Sequence, residues 1–391
     1  MTQQLTSRVN GNVLYIDLAG RIDATNAAET EQAILAIQKE HPGLHTVLDA
    51  DALSYISSAG LRVVMRLRKQ EAKLAVINVA PEVYQVFEMT GFTDMMTIEK
   101  AYPRMSIEGC EFIAKGGNGA VYRYDPETVI KVYYNPDALP EIEQERKNSR
   151  KAFVLGINTA IPYGIVRVGN GYGSLTELLN ATSITKMIIK DPEHLEQPVR
   201  YYVDTIRQMH ATEVEPGEFP DLKQQVLGWA DFVKDELSAE NAAKLRSLIE
   251  ALPDSHTMLH GDYHTDNVMI QNGEAVLIDM DTLSVGHPIL ELGSMFNAFK
   301  GFAELDHDVT AQFFGFTYET GVRFWNLALA RYLDTTDQAR IDEVENKAKI
   351  IGYTRLLRRS MRRHEDNREE MIAACKRHLE ELLPTIDTLT F

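Results

Sequence analysis

Cysteine is scarce in this chain of 391 residues, which has only Cys110 and Cys375. They lie far apart and offer neither metal-ligand spacing nor a disulfide framework, so two free thiols in a reducing compartment are expected. Long apolar runs are also missing. None approaches the ~18 residues that a membrane span needs, and no basic-then-apolar segment opens the chain. The expectation is a cytoplasmic protein with no membrane contact. An excess of positive charge is absent too. Lys and Arg number 40 against 57 Asp and Glu, a net charge of −17, which argues against a nucleic-acid partner. There is no internal repeat and no low-complexity tract.

What is present is 44% hydrophobic and 25% charged residues, over a length that favours two or three domains. The acidity is uneven. Up to Arg104, 10 Lys and Arg stand against 12 Asp and Glu; beyond it the balance is 30 against 45. A change of pattern coincides with this shift, and "AYPRMSIEG" around Pro103 reads as a linker.

Before the linker, strand and helix patterns alternate. "NVLYIDLAG" alternates apolar and polar residues and stops at Gly20, "HTVLDA" and "KLAVINVA" are short apolar runs, and "MTIEKA" is a last strand. Between them, "DATNAAETEQAILAIQKE" has Asp23 or Thr25 as a cap, "SAGLRVVMRLRKQ" clusters Leu61, Val64, Met65 and Leu67, and "PEVYQVFEMTG" has Pro81 in its first turn. Two hydroxyls, Ser57 and Ser58, stand where a strand gives way to a helix. Either can cap that helix. The same helix start, with free N–H groups and partial positive charge, also suits a phosphate.

Taken together, "VLYIDLAGRID", "LDADALSYISSAGLRVV" and "FEMTGFTDMM" resemble the anti-sigma-factor antagonist (STAS) family over essentially residues 1 to 100. The resemblance implies a small mixed sheet with helices over 1–102, a protein partner of the anti-sigma type, and Ser58 as a site of regulatory phosphorylation. Ser57 stands where the family has an Asp, and Ala59 where it has a second serine. Gly60 is expected to keep the first turn open to a partner.

After the linker, "CEFIAKGGNGAVYRYDPETVIKVYY" reads as strand, Gly-rich turn, strand, turn, strand. Gly116, Gly117 and Gly119 would let backbone N–H groups approach a polyphosphate. Lys131 lies in an otherwise apolar strand, where its ammonium is costly unless it meets an anion. Glu145 on the next helix can pair with it, as can Glu141 or Glu143. The backbone at Glu177 and Leu178 can meet a planar base. His210, on "IRQMHATEV", reads as a core or helix-terminal histidine.

The segment "LHGDYHTDNVMIQNGEAVLIDMDTLSVGHPILELG" carries the chemistry. Asp262 sits in a polar loop, Asn267 follows five residues on, Asn272-Gly273 makes a hairpin turn, and Asp279 and Asp281 end a buried strand. A kinase needs one carboxylate for the acceptor hydroxyl and two oxygen donors to hold Mg²⁺ on the phosphates of ATP.

Residues 107–300 resemble the aminoglycoside phosphotransferase and choline kinase family, the small-molecule branch of the protein-kinase-like fold. That implies an α+β unit with an N-lobe at 107–178 and a largely helical C-lobe at 179–391, following the α/β first domain. It implies Asp262 as catalytic base, Asn267 and Asp279 as catalytic Mg²⁺ ligands, and Lys131 on the ATP phosphates with Glu145 pairing it. His260 would shape the loop, and Glu291 stands where the family usually has an Asp that braces it. The expected activity is phosphoryl transfer from ATP to an alcohol group on a small molecule or protein, regulated by the first domain. The alternative is an antagonist-type switch whose second part only binds nucleotide or phosphorylates the STAS serine. The net charge of the second part fits a cationic acceptor in a carboxylate-lined pocket. The basic cluster Arg358 to Arg363 reads as a solvated helix face, or as a contact to an acidic partner or a phosphate.

Overall fold

The computed structural model describes residues 5–363 and 367–391. Residues 1–4 of the first expected domain and 364–366 of the last helical stretch lie outside the described residues. The chain divides into two compact units, one of residues 1–106 with 165–169 and one holding the rest. No described helix is long and apolar enough to cross a membrane.

The first unit is a five-stranded sheet in the order β1-β2-β3-β4-β5. Its strands are β1 (Thr6–Asn10), β2 (Val13–Ile22), β3 (His45–Ile56), β4 (Ala75–Val79) and β5 (Ile98–Lys100). β1 pairs antiparallel with β2 and the remaining neighbours run parallel, so the sheet is mixed. Helices α1 (Ala27–Glu40), α2 (Ser58–Gln70) and α3 (Pro81–Met89) connect the parallel strands, as parallel pairing requires. Leu14, Ile16, Leu48, Val76, Leu67 and Phe87 form its core. The expected caps of α1 are not what caps it: Asp23 accepts from the N–H and hydroxyl of Thr25, and Asn26 occupies the cap position.

Ser57 caps α2, its Oγ accepting from Ala59 N at 3.2 Å. Ser58 is the first helical residue and is exposed. Gly60 does not face a partner. It is buried, and a Cβ there would stand 2.7 Å from Ile56 Cγ1 and 2.9 Å from Ile22 Cγ2. The glycine therefore sets how closely α2 lies on the sheet.

The second unit opens with antiparallel strands Glu111–Lys115, Gly119–Arg123, Thr128–Tyr133 and Gly171–Glu177, the last pairing with Thr128–Tyr133. The helix Leu139–Val154 follows the third of these. Beyond residue 183 the unit is mostly helical around one large apolar core, with Tyr202, Tyr263, Phe296, Phe299, Phe324 and Trp325 fully or almost fully buried. Two helices matter most for the site. Ile289–Phe299 is almost wholly buried, and it crosses the long helix Gln338–Arg362 at Gly293 and Gly352. A Cβ on Gly293 would lie 2.6 Å from Ile351 Cβ, and one on Gly352 2.8 Å from Phe296 Cδ1. This crossing brings Glu291, Ser294 and Arg355 to one loop.

Candidate active site

That loop is His260–Asp262, between the short strand Met258–Leu259 and the hairpin Val268–Gln271/Glu274–Leu277. Asn272 and Gly273 turn the hairpin with φ of 53° and 84°, the left-handed pair that a tight two-residue turn requires. Pairing of Val268 with Leu277 sets Asn267 beside the strand end, where Ile278 N donates to Asn267 O at 3.1 Å. Asp279 follows in left-handed conformation, with φ 57° and ψ 66°.

Glu291 braces the loop from below. Fully buried, it accepts the N–H of His260 at 2.6 Å and that of Gly261 at 3.1 Å. Burial pushes its carboxyl up, against the pull of His260 and these two N–H groups. His260 Nε2 donates to Ile278 O at 3.2 Å, and Thr282 Oγ1 donates to His260 O at 2.7 Å. Gly261 has φ of +83°, and a Cβ there would meet Thr282 O at 2.4 Å, so the loop closes only over a glycine. Arg355 donates to Gly261 O at 3.0 Å. Asp262 then projects into open space with its side chain 51% exposed. Asn267 Nδ2 donates to Asp262 O at 2.9 Å, and Arg355 Nη2 and His264 Nε2 each stand 3.8 Å from the Asp262 carboxylate.

Across the cleft, Lys131 Nζ lies 2.6 Å from Asp279 Oδ1 and 3.4 Å from both oxygens of Glu145. Of the three glutamates on its helix, Glu145 is the one placed at Lys131. Tyr133 OH donates to the same carboxylate at 2.5 Å. Burial pulls the lysine down, but Asp279 and Glu145 outweigh it and hold the ammonium well above its ordinary range. Burial likewise raises Asp279, and Lys131 more than reverses this, keeping the carboxylate ionised. Asp281, without such a cation in contact, is pushed up to about 6 by burial and by the charges of Glu145 and Asp279. Asn148 Nδ2 donates to Met280 O at 3.1 Å and ties the helix to this turn. No local pattern in the sequence points to Tyr133, Asn148 or Arg355 in these roles, although Arg355 lies about one helical turn before the basic cluster at Arg358.

The glycines divide. Gly116 and Gly117 stand at an open hairpin tip, while a Cβ on Gly119 would come within 2.3 Å of Val132 O. Gly119 thus serves strand crossing, and the other two leave room. Glu177 and Leu178 lie at the end of the same sheet with their N–H groups already engaged, Glu177 N on Ile161 O at 3.1 Å and Leu178 N on Glu127 O at 2.7 Å. A base at this edge would meet carbonyl oxygens of these residues, not the two donors.

Beside Asp262 opens a cavity of about 720 Å³. It is not lined by carboxylates, as the net charge led us to expect. Arg355, Arg358, Arg359, Arg362 and Arg363 line it, and Asp262 is its one lining carboxylate among the described residues.

Comparison with known proteins identifies the families of the two units. Residues 110–325, more than half of the chain, match the model of the phosphotransferase enzyme family. The chain belongs to that family. The preceding residues 4–104 match the STAS domain model. They are 36% identical over 99 residues to the anti-sigma factor antagonist BtrV of Bordetella bronchiseptica, covering 24% of this chain and 84% of that protein. The anti-sigma-B factor antagonist of Listeria monocytogenes is 29% identical over 98 residues, covering 24% and 85%. Among solved structures, the ADP-bound aminoglycoside phosphotransferase APH(2'')-Ib is 13% identical with a TM-score of 0.48, over 76% of this chain and 98% of its own. A choline/ethanolamine kinase family protein from Mesorhizobium loti is 14% identical with a TM-score of 0.46, over 69% and 88%. The protein therefore joins a STAS unit of the antagonist kind to a unit of the phosphotransferase enzyme family.

Proposed function

We propose that the phosphotransferase unit moves the γ-phosphoryl group of ATP to a hydroxyl acceptor in a Mg²⁺-dependent reaction, and that the STAS unit couples this activity to a protein partner. The observation that carries the reading is the convergence of Lys131, Glu145 and Asp279 opposite a braced loop that holds Asp262 open. Lys131, kept charged by its two carboxylates, is suited to receive ATP phosphates. The acceptor hydroxyl oxygen attacks the γ-phosphorus, its proton passes to Asp262, and the bond to the β-phosphate oxygen breaks to leave ADP.

The donor set fits Mg²⁺. Asn267 and Asp279 offer oxygen atoms only, with Asn267 Nδ2 spent on Asp262 O. Among the described residues no group of three or more His, Cys, Asp or Glu is arranged for a metal. Asn267 and Asp279 would be the residues that hold the ion. When bound, the ion would neutralise charge on the phosphates.

The alternative, a switch protein that only binds nucleotide, leaves the cavity beside Asp262 without a use. Asp262→Asn separates the two. Because the loop is held through the backbone of residue 262, Mg-ATP affinity should survive, while transfer falls by about 10²–10⁴-fold. Undiminished transfer by that variant would remove Asp262 as the base. In the STAS unit, the exposed Ser58 at a helix start is the proposed site of regulatory phosphorylation, where added charge would alter the surface offered to a partner.

A further inference from the structure

The arginines beside Asp262 stand out against their setting. The part of the chain after Arg104 carries 30 Lys and Arg against 45 Asp and Glu, yet five arginines and one carboxylate line this cavity among the described residues. Spacing explains how they gather: Arg355, Arg358, Arg359 and Arg362 fall at i, i+3, i+4 and i+7 of the helix Gln338–Arg362 and so share one face.

Arg355, Arg358 and Arg362 differ in what holds them. Arg355 is held by Gly261 O, by Ser294 Oγ and, at 3.8 Å, by Asp262. Arg358 lies over the indole of Trp229, 5.6 Å from the ring centroid, as Arg355 does at 5.9 Å, and no carboxylate among the described residues pairs with Arg358 or with Arg362. Burial, then the charges of Arg362 and Arg355, pull the Arg358 guanidinium below its ordinary value. Like charges gathered in a concave wall repel one another and focus a positive field into the cavity. An anion bound between them relieves that repulsion, and the planar guanidinium fork matches the oxygens of phosphate and carboxylate. The volume, about 720 Å³, is that of a small-molecule site.

We propose that the phosphoryl acceptor is a small hydroxyl compound bearing an anionic group, phosphate or carboxylate, which Arg358 and Arg362 hold while a free hydroxyl reaches Asp262. This rests on the phosphotransfer reading and reverses the cationic acceptor expected from net charge. Whole-chain charge is summed over the entire surface, whereas an acceptor meets one wall of one cavity.

Four compounds of similar size test it: glycerol 3-phosphate, glycerate, glycerol and choline. Binding to the full-length protein is measured by calorimetry at low salt, with Mg²⁺ and a non-hydrolysable ATP analogue already bound so that anions cannot occupy the ATP phosphate site. Glycerol 3-phosphate or glycerate should bind at least about tenfold more tightly than glycerol and choline, and the comparison of the two anions tells which group is preferred. Arg358→Gln with Arg362→Gln should lose that preference while analogue affinity stays unchanged, which also shows that the variant is folded. Tighter binding of choline, no binding of either anion, or anion binding that survives the double substitution would each overturn the proposal. Failure of the analogue itself to bind would instead overturn the phosphotransfer reading.

Discussion

Lys131 and Asp279 meet across 148 residues of sequence, Nζ to Oδ1 at 2.6 Å, and each holds the other in its charged form. Glu145 shares the same ammonium, so one cation serves two carboxylates. Lys131→Met would leave both facing each other without it. Loss of a charged hydrogen bond of ~1.5–3 kcal/mol corresponds to about 10- to 100-fold in affinity. We expect Mg-ATP binding to weaken by that much in Lys131→Met. Asp279→Asn should differ: its nucleotide affinity becomes insensitive to Mg²⁺. Titrating each variant with ATP, with and without EDTA, reads both effects. Wild-type affinity in Lys131→Met would exclude the lysine as a phosphate ligand.

Gly261 is the tightest point of the loop. Alanine there must adopt φ of +83° and place a Cβ 2.4 Å from Thr282 O. Backbone strain of this kind costs about 1–3 kcal/mol, and the collision with a carbonyl adds to it. Gly261→Ala should lower stability in urea and cut transfer together, because the strained loop carries Asp262. Glu291→Gln keeps the volume and one acceptor, so its loss of stability should be smaller. An unchanged denaturation midpoint in Gly261→Ala would contradict this account.

Much of this arrangement was readable in advance, for identifiable reasons. The hairpin at Asn272-Gly273, the strand lysine and the order of Asp262, Asn267 and Asp279 are local patterns with one good structural solution each. β1 escaped notice because all five of its residues are exposed, so the strand shows no apolar alternation. β3 runs on to Ile56, past the apolar run that ended at Ala50, because its pairing with β2 shifts register and continues through polar residues. For the arginine helix, the sequence left a solvated face and a contact to an acidic partner or a phosphate both open. Its role depends on the Gly293–Gly352 crossing, a contact between segments some sixty residues apart, which no local pattern encodes.

His210 supplies a pH dependence. It ends the helix Glu196–His210, with Nδ1 2.7 Å from Tyr332 OH and Nε2 shut off from solvent without a partner among the described residues. Burial, then the nearby His287, lowers it to about 3. The unfolded chain takes up a proton near pH 6.5 and the folded chain does not, so the unfolded state binds more protons below that pH. Stability from this group is therefore complete above pH 6.5 and is lost as pH falls toward 3, at up to about 1.4 kcal/mol per pH unit. His287, also lowered by burial, acts in the same direction. Denaturation midpoints of His210→Gln should fall less between pH 7 and 5 than those of the wild type. Parallel curves would show that the imidazole is protonated in the folded protein.

Ser57 takes the capping role that the sequence left open between it and Ser58. Ser57 Oγ already accepts the Ala59 N–H, and Ser57→Ala should cost the ~0.5–2 kcal/mol of a lost cap. Ser58 is exposed at the first helical position, and the first turn of α2 holds no acidic residue while its last turn holds Arg68 and Lys69. Negative charge at that start is unopposed by like charge in the turn and complements the helix dipole. Ser58→Asp should thus stabilise the STAS unit by about 0.3–1 kcal/mol at low ionic strength, an effect that added salt removes. Phosphate at the same place brings more charge and three acceptor oxygens. Peptide mapping of the protein isolated from cells should find phosphate on Ser58 and none on Ser57. The Asp262→Asn protein, expressed in the same way, tells whether the phosphotransferase unit or another kinase supplies it. Phosphate on Ser57, or destabilisation by Ser58→Asp that persists in high salt, would show that this helix start is not built to accept the charge.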